Sequence, residues 1–232
     1  MQFLTNTLEY FKANFSTTVT VEQFIQASYE TFYMVFFALI LGSVIGISLG
    51  VCLVTTRPGG LLENNRIYRI MNPIINLVRS LPFIILLVAI VPFTKFIVGS
   101  SIGTTAAIVP LTFYVAPYIA RLVENSLLEV NSGIIEAAES MGASPIQIIW
   151  YFILPEAFSS LILTLTTATI GLIGATAMAG AVGAGGIGDL AISYGYQRFD
   201  TTVTYICVVI LVIVIQLVQS TGNFLARKAR HE

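Results

Sequence analysis

Side chains able to do chemistry are sparse in this chain of 232 residues, and their spacing limits what they can do. Gly183, Gly185 and Gly188 satisfy the pattern G-x-G-x-x-G, which after a strand and ahead of a helix would cradle a dinucleotide pyrophosphate on backbone N–H groups. Here the glycines close a long apolar run with no strand pattern around them, so a flexible or closely packed loop is expected instead. Cys52 and Cys207 stand singly inside apolar runs, which gives neither a disulfide framework nor a metal-ligand spacing. His231, the one histidine, falls in a basic tail and reads as a solvated or headgroup-facing residue. Arg121 and Glu124 have the three-residue spacing of a helical ion pair, and with Glu129 they read as solvated interfacial charges. The sequence has no G-x-x-x-x-G-K-[ST] phosphate loop and no catalytic carboxylate pair, so no catalytic residue, cofactor or metal is expected, and ATP hydrolysis is not expected from this chain.

The elements that carry these residues are apolar. Hydrophobic residues make up 56% of the chain and charged residues 10%, against about 25% charged in a soluble domain. With a mean hydropathy of +0.88, that excludes a soluble globular fold. A net charge of -1 supplies no basic field for phosphates, so nucleic acid is excluded as a partner. An unpaired charge in hydrocarbon is costly, so charge-free intervals mark the spans. Such intervals cover 31–56, 80–94, 96–120, 157–188 and 201–226, and predict an all-α integral membrane fold with five transmembrane helices. The interval 80–94 is the shortest, and Pro82 and Pro92 mark where its helix starts or bends. Residues 1–30 carry Asn6, Glu9 and Glu22 and lack the basic-then-apolar order of a cleavable signal, so they are expected in the mature protein.

Lys and Arg accumulate on the cytoplasmic side of a membrane protein. With five spans, eight of the eleven basic residues fall on one side: Arg57, Arg66, Arg69, Arg79, Arg121, Arg227, Lys228 and Arg230. Lys12, Lys95 and Arg198 fall on the other. This places the N-terminus outside and the C-terminus in the cytoplasm, and predicts an extracytoplasmic segment 1–28, a transmembrane domain 29–226 and a cytoplasmic tail 227–232. None of the five intervals holds an Asp, Glu, Lys or Arg, whereas ion-coupled carriers keep such a group to bind the coupling ion; energy is therefore expected from outside the chain. Gly42, Gly46 and Gly50 line one face of the first span, as close helix packing requires. Thr167, Gly171, Gly174 and Met178 share one face of the fourth, which suits either a substrate pathway or helix packing.

Residues 131–155 hold the most specific pattern. Asn131 or Ser132 can cap a short helix with Ile134, Ala138 and Met141 on one face; Gly142 suits the left-handed position that ends it. Ser144 and Pro145 then begin a second helix, which Pro155 is expected to break at Leu154. Glu136-Ala137-Ala138, the spaced Gly142 and Leu154-Pro155 resemble the EAA signature of bacterial ABC importer permeases, with Phe152 where that pattern usually has an aliphatic residue. The resemblance implies that Glu136, Ala137, Ala138, Gly142, Leu154 and Pro155 belong to a cytoplasmic coupling segment, between spans three and four, that docks on a partner ATPase.

Over residues 28–225 the chain is similar to one subfamily, the methionine import permeases. TTRPGG at 55–60, RSLPFIILLVAIVPFTKFIVG at 79–99, AAIVPLT at 106–112, ARLVENSLLEV at 120–130 and AMAGAVGAGGIG at 177–188 carry that likeness. It implies a homodimer of five-span subunits in the bacterial cell membrane, working with a cytoplasmic ABC ATPase dimer and an extracytoplasmic methionine-binding protein. The expected function is the permease subunit of an ATP-driven methionine importer working by alternating access. Another amino acid or small organic nutrient is the nearest alternative, and an ion-coupled secondary transporter a more distant one.

Overall fold

Thr20 opens the first helix, α1 (Val21–Thr56), with a reciprocal cap: its side chain accepts the Gln23 N–H while Gln23 Oε1 accepts the Thr20 N–H at 2.9 Å. The computed structural model describes residues 18–230, and among these there is no strand. Lys12, His231 and most of the segment ahead of residue 28 lie outside the described residues. Thirty-six residues make α1 about 54 Å long, more than a bilayer core needs, and it carries Glu22 and Glu30 in its first turns.

The α1 glycines face α5 (Thr104–Leu128). A Cβ on Gly46 would stand 2.6 Å from Ala116 O, and one on Gly50 would stand 2.7 Å from Ala120 O. The two backbones are therefore in contact, and this is the most extensively packed helix pair among the described residues. Between hydrocarbon-soluble helices water expulsion supplies no drive, so such close van der Waals packing holds them. Met34, Leu111, Val115, Ile119 and Leu172 fill the core around the contact.

Between α1 and α5 the chain is broken into α2 (Asn65–Ser80), α3 (Phe83–Ala89) and α4 (Val91–Val98). Pro82 separates α2 from α3, and the two helices differ in direction by 107°. The interval 80–94 is thus not one helix. The α5 helix also departs from its interval, starting at Thr104 and continuing through Arg121 and Glu124 to Leu128. Those two charges neutralise one another, so they do not delimit the helix.

After α5 come α6 (Ser132–Ser140), α7 (Pro145–Ile148), a π-helical turn over Ile149–Ile153, α8 (Leu154–Glu156) and α9 (Phe158–Gly180). A glycine-rich turn leads to α10 (Gly186–Leu190), a second π-helical turn over Ala191–Tyr196 and α11 (Thr201–Ala229). Helices α9 and α11 pack together, with Ser159 Oγ donating to Ala226 O at 2.9 Å. Four helices, α1, α5, α9 and α11, are long and apolar enough to cross a membrane, and a fifth crossing arises if the bent pair α2 and α3 counts as one.

Candidate functional site

Helix α6, nine residues or about two and a half turns long, is held at both ends by side-chain and backbone caps. Asn131 Oδ1 accepts the Gly133 N–H at 2.8 Å. At the other end Gly142 N–H donates to Glu139 O at 2.9 Å and Ala143 N–H to Ala138 O at 3.1 Å, which is the paired bonding of a Schellman turn. Gly142 sits at φ +79°, as its place in the sequence predicts, and an added Cβ would meet nothing within 4 Å. Its constraint is therefore conformational and not steric. Ser144 restarts the chain with a capping box to Gln147, and Pro145 takes the first position of α7.

The outcome at Pro155 differs from the expected break. Leu154 keeps helical geometry (φ -65°, ψ -44°), and its N–H donates to Ile149 O across the π turn. A π turn is wider by one residue, which accommodates the missing N–H and the ring of Pro155 without reversing the chain. The corner at Gly142 is consequently joined to α9 by an almost continuous helical rod, with Ala157 N–H bonded to Ile153 O at 2.9 Å.

Of the signature residues, Glu136 and Ala137 are exposed, whereas Ala138 is fully buried against this chain's own core. Small size at Ala138 thus serves internal packing, and only Ala137 of the pair lies on the open face. Met141, expected to share a face with Ile134 and Ala138, is instead 70% exposed where Ala138 is buried, because it lies at the cap and turns outward. Ile146, Trp150 and Tyr151, which follow it in the chain, are exposed as well, as are Glu136 and Glu139. Sequence reasoning missed these exposed apolar residues, which are spread over three local elements and look like ordinary core in a linear reading. A hollow of about 420 Å³ separates α6 from the loop after α1 and is lined by Arg57, Gly60, Glu136 and Glu139.

Glu124 is buried and Arg121 half-buried, so the pair is not the solvated one expected. Glu124 is 4% exposed and paired with Arg121, whose second guanidinium nitrogen donates to Asn72 Oδ1 at 2.6 Å and Asn76 Oδ1 at 2.8 Å. The cluster pins α2 to α5, and the two asparagines carry no linear signal of that role. A hydroxyl ladder likewise joins α5 to α9: Ser126 Oγ and Thr164 Oγ1 are 2.9 Å apart, and Ser160 Oγ donates to Ser126 Oγ at 3.0 Å.

On α9, Thr167, Gly171, Gly174 and Met178 share one open face; an added Cβ at Gly174 would meet nothing within 4 Å. Thr167 Oγ1 donates to Leu163 O at 2.9 Å, which leaves its lone pairs available as acceptors. Beyond α9 the glycine-rich turn offers no dinucleotide cradle. The N–H groups of Gly186 and Ile187 already donate to Glu30 Oε2 at 2.8 Å and Thr31 Oγ1 at 2.9 Å. Among the described residues no three His, Cys, Asp or Glu side chains converge as a metal site, and Cys52 and Cys207 are unpaired thiols.

This arrangement has known counterparts. The family described as "Binding-protein-dependent transport system inner membrane component" matches residues 42–231. The chain belongs to that family. The permease is 49% identical over 205 residues to the "Probable D-methionine transport system permease protein MetI" of Vibrio cholerae, covering 88% of this chain and 91% of the relative. Against the "D-methionine transport system permease protein MetI" of Escherichia coli it is 50% identical over 156 residues, covering 67% of this chain and 72% of the relative. A solved structure described as "Inward facing conformations of the MetNI methionine ABC transporter" superposes with a TM-score of 0.88 at 47% identity, covering 90% of this chain and 97% of that one. A crystal structure of "an amino acid ABC transporter with histidines" matches at a TM-score of 0.73 and 19% identity, a likeness of fold, over 89% of this chain and 94% of that one. The permease is thus an all-helical, multi-pass membrane protein.

Proposed function

We propose that this permease is the membrane subunit of an ATP-driven importer for methionine, the D enantiomer named for its relatives included, and that it moves substrate by alternating access. The observation that carries this reading is the capped corner at Gly142, which joins the exposed acidic face of α6, with Glu136 and Glu139, to a helical rod leading into α9. A push on Glu136 and Ala137 reaches α9 through that rod, because Ala138 seats the short helix against the core. Residues 131–155 are the coupling segment, with Glu136, Ala137, Ala138, Gly142, Leu154 and Pro155 its working residues. The permease has five spans, the bent pair α2 and α3 forming the second, and the open face of Thr167, Gly171, Gly174 and Met178 lines the path. Two copies assemble with a dimer of a cytoplasmic ABC ATPase and receive substrate from an extracytoplasmic methionine-binding protein. Hydrolysis belongs to the ATPase, and the permease is no enzyme.

The uneven placing of Arg and Lys supports a cytoplasmic C-terminus and puts α6 beside the ATPase. On that orientation segment 1–28 is extracytoplasmic, 29–226 is the transmembrane domain and 227–232 is the cytoplasmic tail. The test is uptake of labelled methionine into vesicles holding the permease with its ATPase and binding protein, with and without internal ATP. ATP-dependent uptake suppressed by unlabelled D- or L-methionine is expected. Uptake driven by an ion gradient without the ATPase would overturn the reading, and ATP-dependent uptake of a different amino acid would overturn the substrate alone.

A further inference from the structure

The end of the bundle away from α6 is held by a contact that neither the coupling segment nor the path requires. Glu30 and Thr31, adjacent on α1, accept the first two N–H groups of α10 at 2.8 and 2.9 Å across 156 residues of chain. Gln26 Nε2 donates to the other carboxylate oxygen of Glu30 at 2.9 Å, which fixes its orientation. The glycines of the turn exist for this approach. A Cβ on Gly185 would stand 2.5 Å from Glu30 Oε2, and one on Gly186 would stand 2.7 Å from Thr31 Oγ1. The turn is tied on its other side too, where Gly103 N–H donates to Gly183 O at 3.0 Å ahead of α5. Helix α1 is locked to α5 along its glycine face, so the turn after α9 is clasped to the closely packed pair whose opposite end leads into the coupling segment.

We propose that Glu30 and Thr31 are positioning residues of an outer gate: they clasp the Gly183–Gly188 turn to α1, and movement of α9 that opens the path outward must break the clasp. This rests on the orientation and path stated above. With the clasp broken, α9 and α10 part from α1 by also unseating Ile187 and Leu190 from the cluster they share with Ala27, and the face bearing Met178 then opens to the outside. A carboxylate suits the task, since a charged acceptor strengthens a bond to a backbone N–H yet is readily rehydrated when it parts.

The test uses the whole complex in lipid with Glu30→Ala, Glu30→Gln and Thr31→Val. Amide exchange of the peptide holding Gly186 and Ile187 reads the clasp directly. Loss of one charge-assisted bond corresponds to exchange faster by about tenfold in Glu30→Ala. Glu30→Gln, which keeps an acceptor oxygen, should lie between it and wild type, and Thr31→Val should move exchange less. Opening is read with Met178→Cys, in a background with Cys52 and Cys207 replaced by alanine, through labelling by an impermeant thiol reagent added outside. Labelling should quicken with Glu30→Ala, and ATP consumed per methionine imported should rise. Unchanged exchange would overturn the clasp, and faster exchange with unchanged labelling would overturn the gate. Thr31→Val supplies both readouts should Glu30→Ala not assemble. A wild-type complex without ATP-driven methionine uptake would refute the functional reading, while exchange and labelling would still decide the clasp and the opening.

Discussion

Replacing Gly142 with asparagine, alanine and valine separates a hinge that must hold its angle from a residue that only fills space. Gly142 occupies the left-handed region at φ +79°, and an added Cβ would meet nothing within 4 Å. The penalty is therefore the backbone term alone, about 1–2 kcal/mol for an ordinary L-residue, larger for a β-branched one and least for asparagine. Against a stability of about 5–15 kcal/mol the subunit still folds. The strain is relieved if residue 142 leaves the left-handed region, and this breaks the two closing bonds, Gly142 N–H to Glu139 O and Ala143 N–H to Ala138 O. A penalty of about 1–2 kcal/mol lowers the ratio of native to opened corner by a factor of about 5–30, so methionine imported per ATP should be least reduced in Asn, more in Ala and most in Val. The assay is ATP-driven uptake and ATP hydrolysis measured on the same vesicles, with melting and assembly of each variant as controls. Wild-type transport per ATP in Gly142→Val, or equal losses in Gly142→Asn and Gly142→Val, would refute the argument.

Removing Arg121, itself half-buried, leaves the buried Glu124 carboxylate without its countercharge, which costs at most about 3–5 kcal/mol. Arg121→Ala should lower the melting temperature in detergent markedly, and Arg121→Ala with Glu124→Ala should recover part of the loss; equal melting of wild type and Arg121→Ala would show the pair to be solvated. At the start of α11, the Thr18 backbone N–H, at 2.9 Å, foremost holds the Asp200 carboxyl below the usual carboxylate range. Because the folded-state pKa is the lower one, the tie contributes stability above the unfolded value near 3.9 and loses it as pH falls through the folded value. Melting measured from neutral pH down to about pH 3 should therefore fall more steeply in wild type than in Asp200→Asn, and parallel curves would contradict the assignment.

The turns at Asn131, Gly142, Ser144 and Pro145 were legible because each is a local rule: a cap, a left-handed position or a fixed φ needs only neighbours in sequence. The glycine face of α1 was legible for a related reason, since helical periodicity alone puts Gly42, Gly46 and Gly50 in line. Span ends were less so. The rule that charge closes a span holds for isolated charges, and Arg121 and Glu124 are paired to each other and to Asn72 and Asn76 on another helix. Pro155 misled similarly, because a π turn supplies what a regular α-helix cannot.

By itself the sequence determined that this is an all-helical membrane protein, where the capped corner at Gly142 lies and to which family it belongs, since hydropathy, caps and signature spacing are properties of contiguous residues. Tertiary structure alone decided which side of α6 faces outward, that Ala138 packs inward while Trp150 and Tyr151 are bare, and that Glu30 reaches the glycines after α9. Those outcomes depend on which helices meet, and a contact across 156 residues has no local pattern to announce it.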